Sequence, residues 1–221
     1  MKARSFYNSL LSEFNRRGRN SKFKVTVSPI RTSDNEVWLE EGLKLAATAS
    51  SCRGLGKAAN SFVIYVMPRE RFSDPKGYHI ESSTVEVAYV KLDSGSRKGK
   101  LVMGFHYDFD TDTASGDPKA LHPICHAQIS RKLMQLKGIM AKEYDIDAQG
   151  DELPDVRVPT AHISLTSCLL GISADHFTST EHAGFLNWLR LQSEFPRMEN
   201  ANFVTRLEKC QLALRSCAWY G

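Results

Sequence analysis

Five of the chain's seven histidines fall between residues 106 and 176, and the densest part is Phe105-His-Tyr-Asp-Phe-Asp-Thr-Asp followed by Leu121-His-Pro-Ile-Cys-His-Ala-Gln. Imidazoles titrate near neutral pH, and neighbouring carboxylates orient and tune them, so this mixture suits two kinds of chemistry. A histidine pair can serve as general base and general acid. Alternatively, imidazoles and carboxylates together can bind a divalent metal, which activates water or neutralises phosphate charge. The candidate catalytic residues are His106, Asp108, His122 and His126, with His162 further along the chain. The metal set would be His106, Asp108, Asp110 and His126. Gln128 and Arg157 are candidate substrate contacts, and Arg16 and Arg17 are candidate phosphate contacts from the N-terminus.

Strand geometry makes the cluster more than a count. Side chains alternate faces along a strand, so His106, Asp108 and Asp110 share one face while Phe105, Tyr107 and Phe109 share the other. In the next segment His122, Ile124, His126 and Gln128 share a face. A hairpin that matches apolar to apolar pairs odd residues with odd ones, because a slip by one residue would invert the burial of a whole strand. One register of this kind sets His106 opposite His126 and Asp110 opposite His122. The competing reading is a solvated polar face, which antiparallel sheets commonly present to water.

Sharper patterns are weaker. Asp108-x-Asp110-x-Asp112 has Thr113 and Lys119 where an EF-hand loop needs Gly and Glu, which excludes that motif. Cys125 and His126 are adjacent, hence on opposite faces of a strand, which disfavours a structural zinc site. The five cysteines are widely spaced with no C-x-x-C pair, as befits small buried residues in a reducing compartment. No glycine-rich nucleotide loop is present: Arg53-Gly-Leu-Gly-Lys lacks the Walker spacing.

Two short resemblances surround His162. His162-Ile-Ser-Leu resembles half of the His-x-Ser/Thr signature of two-histidine phosphoesterases, which implies action on phosphodiesters; the nearest second copy, His176-Phe-Thr, is only 14 residues on. Arg157-x-x-x-x-His162 resembles the Arg-x4–6-His ribonuclease motif of the all-helical HEPN family, with Val158 and Pro159 as departures.

The elements that must position these residues read as follows. Residues 4–16 form an amphipathic helix broken by Arg-Arg-Gly-Arg-Asn, and 22–28 alternate as a strand closed by Pro29. Asp34 caps a second helix carrying Val37, Trp38, Leu43, Leu45 and Ala46. Phe62–Met67 is a buried strand stopped by Pro68; residues 84–92 and 101–109 alternate as a hairpin, and a third strand spans about 122–130. Residues 131–142 read as helical; 159–176 reads either as a strand followed by a turn or as a helix opened by Pro159, with helical spacing favouring the helix; and Thr178-x-x-Glu181 forms a capping box before Phe185. A last helix carries Phe203, Leu207, Cys210, Leu214 and Cys217 on one stripe.

This predicts an α+β fold: a central antiparallel sheet, a meander of about four to five strands, with N-terminal helices and a helical C-terminal third. One domain over 1–221 is expected, sheet-rich over 20–130 and helix-rich over 131–221. With 42% hydrophobic and 24% charged residues the chain can bury a core, which excludes a disordered class. No apolar run approaches the roughly 20 residues of a membrane span, and the N-terminus lacks a signal-like apolar segment, so a cytoplasmic location is expected. The net charge of +4 hides an asymmetry: residues 1–31 hold eight basic groups and one acid, whereas 108–155 hold ten acids and five bases. The basic arm suits nucleic acid or another phosphate-bearing substrate. The expectation is a hydrolase of phosphodiester or nucleic-acid-like substrates, with a divalent metal as the cofactor it would use. The alternative is a non-catalytic module that docks a protein or nucleic-acid partner.

Overall fold

The computed structural model describes residues 2–33, 35–47, 62–73, 79–93, 96–110, 125–129, 133–147, 157–159, 164–192 and 197–198. Helix α1 (Lys2–Asn20) leads into β1 (Phe23–Val27), β2 (Ile30–Thr32), β3 (Glu36–Leu39) and β4 (Leu43–Ala47). Three long strands follow: β5 (Phe62–Phe72), β6 (His79–Leu92) and β7 (Lys98–Asp110). Then come β8 (Cys125–Ile129), α2 (Met134–Glu143), β9 (Asp145–Asp147), β10 (Arg157–Pro159), α3 (Leu165–His176), α4 (Ser179–Arg190) and β11 (Arg197–Met198). Among the described residues eleven strands join one sheet, ordered β1-β4-β5-β6-β7-β8-β10, with β2 and β3 extending it beside β5. The antiparallel meander is its centre, β5 to β8; β9 and β11 add short parallel pairings to β7 and β6.

Both faces of the central strands are covered. On β5, Phe62, Ile64 and Val66 pack into the large core beneath α1, α3 and α4, while Val63, Tyr65 and Met67 pack with Leu133, Leu136 and Met140 of α2 and its approach. That is why Phe62–Met67 is an unbroken apolar run instead of an alternating one. The helical face is tied by aromatic contacts, with Phe14 of α1 lying 4.9 Å from Phe177 and 5.5 Å from Phe185 between ring centroids.

Several elements differ from the sequence reading, each for a local reason. The segment expected as a second helix is β3 and β4: Val37, Leu39, Leu43 and Leu45 are buried at period two, and Gly42 turns the chain between the strands at φ +75°. Strand β5 runs through Pro68 to Phe72. Pro68 falls between Val66, where pairing with β4 ends, and Arg69, where pairing with β3 begins, so its missing N–H is tolerated. Helix α1 continues through Gly18 to Asn20, because a side chain at 18 would lie 2.6 Å from Val25 Cγ2; glycine lets the helix settle on β1. Pro159 ends strand β10 instead of opening a helix, and α3 starts at Leu165, capped by the Ser164 side chain. Thr178 caps α4 as expected, but the Glu181 carboxylate turns to Arg17 and Asn20. The expected helix over 203–217 lies outside the described residues.

A buried carboxylate fastens α3. Glu70 of β5 is 2% exposed and accepts from the backbone N–H of Leu165 at 2.7 Å, from Ser83 Oγ at 3.3 Å and from the Tyr7 hydroxyl. It meets the unpaired amides at the start of α3, where negative charge is favoured. Burial nevertheless holds its carboxyl above the usual range, against the hydrogen bonds it accepts.

Candidate functional site

Four strands build the histidine face. Across them run two adjacent rows of facing residues: Glu86 (β6), His106 (β7), Gln128 (β8) and Arg157 (β10); and Thr84, Asp108, His126 and Pro159. Odd residues of β7 do pair with odd residues of β8, but the register is shifted by two from the expected one. His126 therefore faces Asp108 instead of His106. Parity follows from burial, since Phe105 and Tyr107 pack toward the α1, α3 and α4 core while His106 and Asp108 take the opposite face.

The electrostatics centre on His106. Its Nε2 lies 2.6 Å from Asp108 Oδ2 and its Nδ1 3.7 Å from Glu86 Oε1. These two carboxylates, Asp108 first, lift the imidazole to about 9 against the opposing cost of burial, so it is a cation at neutral pH. Glu86 is 2% exposed, and its other oxygen accepts from the backbone N–H of Leu136 at 3.0 Å in the first turn of α2. One glutamate thus joins the start of α2 to the histidine face. Thr84 Oγ1 donates to Asp108 Oδ1 at 3.0 Å, so both carboxylate oxygens are held.

The structure brings together five of the predicted residues, His106, Asp108, His126, Gln128 and Arg157, in two neighbouring rows. Asp110 lies one row further, opposite Ser82. His122 and His162 lie outside the described residues. Arg16 and Arg17 are not part of this face: they project from α1, on the other side of the sheet. Arg16 pairs with Glu13 at 2.7 Å, and Arg17 pairs with Glu13 at 2.8 Å and Glu181 at 3.1 Å. Arg157 sits on a strand of an antiparallel sheet, which the all-helical resemblance does not accommodate, and Ser164 is spent on capping α3.

Among the residues whose side chains are described, no three of His, Cys, Asp or Glu converge as a metal ion requires, and of the expected metal set His126 and Asp110 are described by their strand positions alone. The sequence reading missed Glu86 and Thr84. Glu86 alternates with Val85 and Val87 in β6, a pattern that reads as a solvated position; only the arrival of α2 buries it.

These elements define an α+β protein whose antiparallel sheet is covered by helices on both faces and carries a row of ionisable side chains on one of them. No family model, curated protein or solved structure matches the chain.

Proposed function

We propose that the β7–β8 face binds and cleaves phosphodiester bonds by histidine acid–base chemistry. The register carries the reading: His126 faces Asp108, and the Asp108 carboxylate already holds the His106 imidazolium at 2.6 Å. Facing residues on antiparallel strands have Cβ atoms about 5 Å apart, within reach of an imidazole–carboxylate contact. In this reading His126, opposite Asp108 on the neighbouring strand, takes the proton of the attacking hydroxyl as the new P–O bond forms. The bond to the leaving oxygen breaks, and that alkoxide takes up the proton that His126 accepted, directly or through a water, which returns His126 to its starting form. His106 and Arg157 offset the phosphate charge, and Gln128, between them in the same row, supplies a neutral polar contact.

The test is cleavage of an end-labelled mixed-sequence oligoribonucleotide and its DNA counterpart, with EDTA or with Mg²⁺. Wild type cleaves, and His126→Ala falls by about a hundredfold or more with an unchanged melting temperature. An inert wild type under every condition, or an undiminished His126→Ala, overturns the proposal. The EDTA arm separates metal-free from metal-assisted chemistry. The second reading, a non-catalytic interaction module, is favoured by one observation: both ring nitrogens of His106 already face carboxylates, as in a structural cation. It predicts partner binding that survives His126→Ala.

A further inference from the structure

On the opposite face of β7 a groove of about 740 Å³ opens between the sheet and α3. Its volume lies in the range of small-molecule sites. The sheet wall is aromatic. Phe105 and Tyr107, two residues apart on β7, have centroids 5.8 Å apart and planes within 19°, and Tyr89 stands edge-on to Phe105 at 6.2 Å and 82°. The helix wall has a bare patch, because nothing lies within 4 Å of where a side chain at Gly171 would begin. A flat ring fits between such walls, with the aromatic side chains as a stacking surface.

The polar groups decide which ring. Asp175, exposed near the end of α3, is the only formally charged residue among the described residues that line the groove. Burial keeps the other ionisable groups neutral: the Tyr107 hydroxyl and the Cys168 thiol are each pushed up to about 12, and the His176 imidazole is pushed down. Among its described residues the groove therefore offers neutral aromatic walls and one anionic acceptor, which suits an amino N–H donor carried on the ring and repels phosphate.

We infer that this groove binds a planar heteroaromatic ring bearing an exocyclic amino group, as in a free nucleoside such as adenosine or cytidine. The stacked rings of Phe105 and Tyr107 hold the base, and Asp175 accepts from its amino group. This site is independent of the cleavage chemistry proposed for the other face.

Isothermal titration of the full chain with adenosine and cytidine tests it, with purine riboside, which lacks the amino group, and adenosine monophosphate as comparators. At least one nucleoside binds with a Kd below about 1 mM, and Asp175→Ala weakens that binding by about tenfold. Purine riboside and the monophosphate each bind about tenfold more weakly than adenosine, or no better than background if cytidine is the binder. A Cβ at position 171 meets no neighbour, so Gly171→Leu, whose side chain extends into the groove, folds with an undiminished melting temperature and loses binding. No binding of either nucleoside by wild type, purine riboside binding as tightly as the nucleoside that binds, or wild-type affinity in folded Gly171→Leu overturns the inference.

Discussion

Replacing His106 by Gln makes the electrostatic reading of the histidine face measurable as stability. In the folded chain the imidazole titrates at about 9, lifted by Asp108 and then Glu86; in the unfolded chain it returns to 6.5. Between those pH values the unfolded chain has released its proton while the folded chain still holds it. Stability from this group is therefore fully present below pH 6.5 and declines at about 1.4 kcal/mol per pH unit until about pH 9. The interval corresponds to about 3 kcal/mol, and because the His106 side chain is 25% exposed, solvent screening makes that figure an upper one. Urea unfolding of wild type and His106→Gln at intervals from pH 6 to 10 isolates the effect, since other groups titrate in both proteins. Wild type exceeds the variant by about 2–3 kcal/mol at pH 6, and the gap closes toward pH 10. A gap that does not change with pH, or an NMR titration placing His106 between 6 and 7, refutes the argument.

Other substitutions probe the same framework. Burial raises the Glu70 carboxyl, so as pH climbs past 4.5 the unfolded chain ionises first and wild type loses stability relative to Glu70→Gln, which keeps an acceptor for the Leu165 N–H. Urea midpoints at pH 4 and 7 show the variant gaining on wild type over that interval; a constant difference contradicts it. Gly138→Ala, within α2 and with nothing inside 4 Å, raises stability by about 0.5–1 kcal/mol. Gly18→Ala, 2.6 Å from Val25, lowers it by about 1–3 kcal/mol because the β-branched neighbour cannot turn away. Thermal melts that rank these two glycine variants the other way contradict the packing described for α1 and α2.

Where burial follows directly from periodicity, the sequence was readable. The alternation in β6 and β7 marked the hairpin, and the odd-to-odd pairing of β7 with β8 placed His106, Asp108, His126 and Gln128 on a common face. The two-residue offset was not readable, because every even shift keeps the same faces buried. Residues 36–47 carried a period-two signal at Val37, Leu39, Leu43 and Leu45, but Trp38 and Ala46 completed a helical spacing that competed with it; the φ +75° turn at Gly42 decides for strands. Pro68 and Gly18 looked like element ends, and each is accommodated by a partner distant in sequence. Glu86 shows the same limit at the site. A charged residue between two valines reads as solvent-facing, and only the Leu136 N–H, 50 positions away, makes it a buried anchor for His106.

The most direct measurement is the pH dependence of kcat/KM for diester cleavage by wild type and Glu86→Gln. That variant removes one of the two charges that raise His106 and leaves the row of Thr84, Asp108 and His126 intact. In wild type, kcat/KM falls as His106 loses its proton near pH 9, and in Glu86→Gln the fall moves to lower pH. A limb at the same pH in both proteins, or no diester cleavage by wild type, contradicts the account.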